Sequence, residues 1–162
     1  MGRRLAALAA LPLLAFAGAA QADSAPPSDP IGDLMMSALT GALPGTPDFQ
    51  MKASLYHAGA RGVGVMDSLG CRVVAMRTVA IDASRIPKRT ILFIKETVGL
   101  PMPDGTPHDG YWYATDTGGA IKGDRIDLFT GMSAASMKVM RSLNLSSLSV
   151  TKAGEFQGCP PK

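Results

Sequence analysis

The chain has 162 residues, 46% of them hydrophobic and 18% charged, with 16 basic and 13 acidic side chains and a formal charge of +3. Setting aside residues 1–22, which hold Arg3, Arg4 and no acid, leaves 140 residues with 14 basic and 13 acidic side chains. That length builds one domain around a single core rather than two sizeable ones, and a net charge of +1 argues against nucleic acid as a partner.

From the N-terminus, Arg3 and Arg4 precede an apolar run over 5–19 that only Pro12 and Gly18 interrupt, and Ala20-Gln21-Ala22 forms a small-x-small site before Asp23. This pattern predicts a secretory signal peptide cleaved after Ala22 and a periplasmic location, free or associated with the outer membrane. The run is too short for a membrane span and no comparable run follows, so no span is expected in the mature form, which is read as a monomer. Residues 23–48, rich in Pro, Gly, Ser and Ala, are expected to be a linker with a weak helix around Leu34 to Leu39.

From residue 49 the pattern changes to short β segments, predicted at 49–56, 71–80, 91–96, 111–116, 125–129 and 147–151, each bounded by Gly, Pro or Asp. Six short strands in a domain spanning 49–162 suggest a small closed barrel. Residues 134–142 are predicted to form one short helix, capped by Ser133, with Met137, Met140 and Leu143 on its core face.

Between the fourth and fifth strands runs Asp116-Thr-Gly-Gly-Ala-Ile-Lys-Gly-Asp-Arg-Ile-Asp127. Gly118, Gly119 and Gly123 permit a sharp reversal, so each flanking strand carries one aspartate toward it. Side chains alternate along a strand, which places Asp127 on the face opposite Ile126 and Leu128. Asp and Gly are also ordinary turn residues, and the residues alone leave that reading open.

The twelve residues of this stretch, together with Val79-Ala-Ile-Asp82 leading through Pro87 into Ile91-Leu-Phe-Ile94, resemble the bacterial three-aspartate (3D) domain, the catalytic end of the membrane-bound lytic transglycosylase A family. The resemblance extends over roughly 49–153 and matches the three aspartates to Asp82, Asp116 and Asp127. It implies a double-psi β-barrel that cleaves the glycosidic bond between the amino sugars of peptidoglycan. It also implies Asp127 as general acid and base, with Asp116 and Asp82 supporting it, and a 1,6-anhydro-muramic acid product. The sequence departs from the family pattern at Ala83 and Lys88-Arg89, and its length leaves no room for the second domain that forms the other wall of the glycan groove in the full transglycosylases.

Around the carboxylates, Lys122 in the turn is placed to hold Asp116 or Asp127 by charge, and Tyr56, His57 and Trp112 are residues of the kind that stack on and hydrogen-bond to sugar rings, as are His108, Tyr111, Tyr113 and Phe129. Cys71 and Cys159, the only cysteines of an exported chain, are expected to form a disulfide that closes a long loop and contributes roughly 4 kcal/mol. A thiol paired with His57 is the rival reading. Two cysteines without CxxC spacing and only two histidines make a zinc site unfavourable, and no cofactor is expected. Besides a cell-wall enzyme, a non-catalytic peptidoglycan-binding module and a carboxylate-rich metal site remain open.

Overall fold

The computed structural model describes residues 46–161. The expected signal peptide over 1–22 and all but the end of the 23–48 linker lie outside the described residues. Six strands form a closed barrel: β1 (Phe49–His57), β2 (Thr78–Ala80), β3 (Thr90–Ile94), β4 (Tyr111–Asp116), β5 (Arg125–Gly131) and β6 (Ser147–Glu155). Around the barrel the order is β1, β5, β2, β4, β3, β6, with β6 closing onto β1. The pairs β1–β5 and β2–β4 are parallel and the other four antiparallel.

The strands form because apolar residues recur at every second position and one face can be buried. In β3, Thr90, Leu92 and Ile94 are buried while Ile91 and Phe93 are half-exposed. Met51 and Ala53 from β1, Val79 from β2, and Ile126 and Leu128 from β5 join this core and are shielded from solvent. Between β3 and β4 the chain turns tightly at Gly110, whose φ is +88° and where a Cβ would lie 2.6 Å from the Phe93 ring. Only glycine fits there.

Three expectations change. The strand predicted over 71–80 is confined to Thr78–Ala80, because Met76 adopts a left-handed φ of 56° within a turn and Cys71 and Arg72 belong to an earlier turn closed by a Met66–Arg72 bridge. The last strand extends beyond 151 to Glu155, its residues from Val150 onward pairing with the whole of β3. The helix is present as a 3₁₀ helix, Ala134–Leu143, with Met140 buried against the barrel, but Ser133 does not cap it. Instead, Ser136 Oγ donates to the Ser133 carbonyl at 2.6 Å.

Cys71 and Cys159 form a disulfide across 88 residues with a Cα–Cα distance of 5.6 Å. The thiol–His57 reading is thereby corrected, since the Cys71 sulfur is consumed in the bridge. The tail is pinned further by Arg89, whose guanidinium donates to the Gly158 carbonyl at 2.8 Å, and by Phe156 packed edge-on against Tyr113. Among the described residues no helix is long and apolar enough to cross a membrane.

Candidate active site

The barrel register brings two aspartates together. Ala80, at the end of the short central strand β2, pairs with Asp127 of β5 on one side and with Asp116 of β4 on the other. Laterally paired residues point to the same face of a sheet, so both carboxylates rise beside the Ala80 methyl, their backbones two strand spacings or about 10 Å apart. Alternation sends Ile126 and Leu128 into the barrel and leaves Asp127 outside it, as the sequence predicts. A cleft of about 280 Å³ opens over this spot, lined by Tyr56, Ala80, Asp116 and Asp127 together with the 62–64 and 117–121 loops and Met66.

The two carboxylates differ in their partners. Asp116 Oδ2 accepts the Tyr56 hydroxyl at 3.1 Å, and Asp116 Oδ1 accepts the backbone N–H groups of Ser68 at 3.1 Å and Thr117 at 2.9 Å. Burial and the Asp116 charge push the Tyr56 hydroxyl well above the ordinary phenol range, so at any working pH it is a donor to that carboxylate. Asp127 Oδ1 is buried and has no hydrogen-bond partner among the described residues. Burial pushes the Asp127 carboxyl up from 3.8 to about 6, and the Asp116 charge adds to the rise against the opposing pull of Ser54 and Arg125. Ser54 sits opposite Asp127 in the β1–β5 ladder with its hydroxyl 3.3 Å from the Ile126 carbonyl, and its pull on the Asp127 carboxyl is weaker than the effect of burial.

Asp82 has a different place from the one expected. Its Oδ2 accepts the Gly123 N–H at 2.8 Å and its Oδ1 accepts the N–H and hydroxyl of Ser84 at 3.0 and 2.8 Å. These bonds, the one from Gly123 foremost, hold its carboxyl down to about 2. It does not line the cleft and makes no bond to Asp127; it ties the loop after β2 to the glycine turn, so any support it gives Asp127 runs through backbone. Lys122 is likewise corrected. It is exposed, does not line the cleft, and its charge helps to lower Asp82, while it is not among the groups that shift Asp127. The carboxylate-rich metal reading loses its third ligand, and among the described residues no group of three His, Cys, Asp or Glu side chains could hold a metal ion.

Trp112 is no sugar platform: it is wholly buried, donates Nε1–H to Thr97 Oγ1 at 3.0 Å and stacks on His108. His108 is buried as well, with Nδ1 accepting the Gly110 N–H at 2.8 Å, so that Nε2 carries the proton and donates to the Met76 carbonyl at 2.7 Å. Burial lowers its pKa and keeps the ring neutral. His57 stands opposite Gly131 at the β1–β5 irregularity, with Gly59 against its ring, and does not line the cleft. Of the expected sugar contacts Tyr56 alone is in the cleft, where its hydroxyl serves Asp116. The sequence reading missed Ser68, which lies 48 residues from Asp116 and looks like an ordinary turn residue.

Residues 77–141 match the family model of the 3D domain. The 3D match holds Asp82, Asp116 and Asp127 and leaves out Tyr56 and Ser68. Solved structures similar to this chain include MltA from E. coli with bound chitohexaose, at 27% identity over 53% of this chain and 26% of that one with a TM-score of 0.40. MltA from Neisseria gonorrhoeae is 24% identical over 59% of this chain and 23% of its own, with a TM-score of 0.43. The lytic transglycosylase LtgG of Burkholderia pseudomallei is 26% identical over 55% of this chain and 27% of its own, with a TM-score of 0.38. The chain spans less than a third of the length of these structures. Among curated proteins none matches the sequence significantly.

Proposed function

We propose that this chain is an exported cell-wall enzyme that cleaves the glycosidic bond of peptidoglycan glycan strands, with Asp127 as the single general acid and base. The observation that carries the reading is a carboxyl in an open cleft, held up to about 6 by burial, with one oxygen unpaired and a second, differently bonded aspartate alongside. Two carboxyl groups with separated environments are what acid catalysis at near-neutral pH requires. The amino-terminal pattern and the Cys71–Cys159 disulfide support an oxidising, extracytoplasmic setting.

In the first step protonated Asp127 gives its proton to the glycosidic oxygen as the bond to C1 breaks, and the positive charge that develops on the sugar ring faces the Asp116 carboxylate. In the second, the Asp127 carboxylate takes the proton of the muramic acid 6-hydroxyl while that oxygen bonds to C1. Asp127 ends as it began, no water is consumed, and the product is a 1,6-anhydro sugar. A hydrolase would instead need a second carboxylate acting on water or on C1; Asp116, fixed by three donors, is set up to stabilise charge rather than to attack.

A second reading, a peptidoglycan-binding module without catalysis, is favoured by cleft size, since about 280 Å³ accommodates little more than one sugar ring. Incubation of the purified mature chain with sacculi, followed by mass analysis of the released muropeptides, separates these outcomes. The enzyme reading expects new ends carrying 1,6-anhydro-muramic acid. New reducing ends would replace transglycosylation with hydrolysis, and sedimentation of the protein with sacculi without any release would put the binding module in its place.

A further inference from the structure

Outside the residues that match the 3D domain, a seven-residue turn over 66–72 presses against the site. Met66 bridges to Arg72, the Asp67 N–H donates to the Cys71 carbonyl at 2.8 Å, and the Gly70 N–H donates to the Asp67 carbonyl at 3.0 Å. Asp67 is 7% exposed, an unusual place for a carboxylate. Its Oδ1 accepts the N–H groups of Leu69 at 3.0 Å and Cys71 at 2.8 Å, and its Oδ2 is buried with no partner among the described residues. Its charge also reaches the Tyr56 hydroxyl. The next residue, Ser68, stands at the tip of the turn with its N–H on Asp116 Oδ1 and its hydroxyl on the Thr115 carbonyl at 2.8 Å.

We propose that Asp67 is a positioning residue for the site: by folding the 66–72 turn it holds the Ser68 N–H on Asp116 and so fixes that carboxylate beside Asp127. The proposal rests on the cleavage reading above. Three features favour this role over ordinary turn chemistry. An exposed Asx turn needs neither burial nor a second unpaired oxygen. Among the described residues the turn's hydrogen bonds to β4 come from Ser68, at the two positions that carry and precede the catalytic-side aspartate. Its other end is anchored by the disulfide at Cys71, so the turn has a fixed base from which to hold its tip. If the tip lets go, Asp116 loses one of its three donors and is held less firmly, and the charge that helps to keep the proton on Asp127 is less closely fixed beside it.

The test uses Asp67→Ala, Asp67→Asn and Ser68→Ala in the full mature chain, with the disulfide verified by intact mass and folding by a cooperative thermal transition. Two readouts are taken: the pH profile of kcat/KM on glycan strands, and the carboxyl titration of Asp127 followed by carbon NMR without substrate. Asp67→Ala should lower kcat by about tenfold to a hundredfold with little change in KM, as expected for a misplaced catalytic constellation, and should move both the alkaline limb of the profile and the Asp127 titration to lower pH. Asp67→Asn keeps the acceptor for Leu69 and Cys71 and should recover most of both. Ser68→Ala, which keeps the N–H on Asp116 and loses only the hydroxyl bond that holds the tip to the Thr115 carbonyl, is the safeguard should Asp67→Ala fail to fold and should shift both in the same direction by less. Parent-like values of both readouts in a folded Asp67→Ala or Ser68→Ala, or no recovery in Asp67→Asn, would overturn the proposal. The titration needs no turnover, so sacculi left intact by the parent would count against the cleavage reading while the Asp127 shift still decides the role of Asp67.

Discussion

Asp82 and Asp127 lie at opposite ends of the aspartate range, one held near 2 and the other near 6, and the difference is entirely one of surroundings. Asp82 accepts three hydrogen bonds at an exposed turn, which favours the charged form; Asp127 Oδ1 accepts none and is shut away from water, which favours the protonated one. The second case has a consequence for stability. The folded protein keeps the proton on Asp127 up to pH about 6, whereas the unfolded chain releases it near 3.8, so between those values folding takes up a proton and stability declines as pH rises. Asp127→Asn has no charge to bury. Thermal or urea unfolding should show it more stable than the parent at pH 7, by about 1–2 kcal/mol once solvent screening of a half-open site is allowed for, with the advantage gone below pH 4. A mutant less stable than the parent at pH 7 would mean that the carboxylate is satisfied by partners after all.

At the scale of elements, the site depends on β2, a strand of three residues between the two that carry the acids. Ala80 is the spacer. Ala80→Val should keep the barrel, since valine suits a strand, yet fill the gap between Asp116 and Asp127 and reduce cleavage by about tenfold or more, whereas the thermal midpoint should move by only a few degrees. Full activity in that variant would show that substrate does not pass over β2. The sequence made β1, β3, β4 and β5 legible through alternation, and with them the outward placement of Asp127. It over-extended β2 because Val73, Val74, Ala75 and Met76 read as a strand by composition, while the left-handed Met76 leaves no trace in a propensity. Trp112 was misassigned for a related reason. In Tyr111-Trp112-Tyr113 both phases of the alternation carry aromatic rings, and only closure of the barrel decides that Trp112 turns inward. Asp116 and Asp127 could be found because their stretch resembles the 3D domain, the three glycines alone marking no more than a turn; Ser68 could not, because its partner lies in another strand and a backbone N–H donor has no side-chain signature, and Asp67 could not, because its bonds to Leu69 and Cys71 are those of an ordinary turn.

For the whole molecule, the Cys71–Cys159 bond joins the turn beside the site to a tail that adds little to the core. Closing a loop of 88 residues stabilises the fold by about 4–5 kcal/mol in the chain-entropy model. Reduction, or Cys159→Ser, should therefore lower the unfolding midpoint by more than about 10 °C for a domain of this size, and the bond that is cut should stay the same. Loss of all cleavage in a reduced protein that remains folded would instead give the sulfurs a chemical role. The central claim, that one carboxyl carries the proton both ways, is tested most directly by the rate at which the parent and Asp127→Asn release muropeptides from sacculi below pH 6, where the acid is protonated. The expected result is a folded mutant slower than the parent by at least about a hundredfold, the lower range for loss of a general acid; a mutant that cuts sacculi as fast as the parent would contradict the assignment.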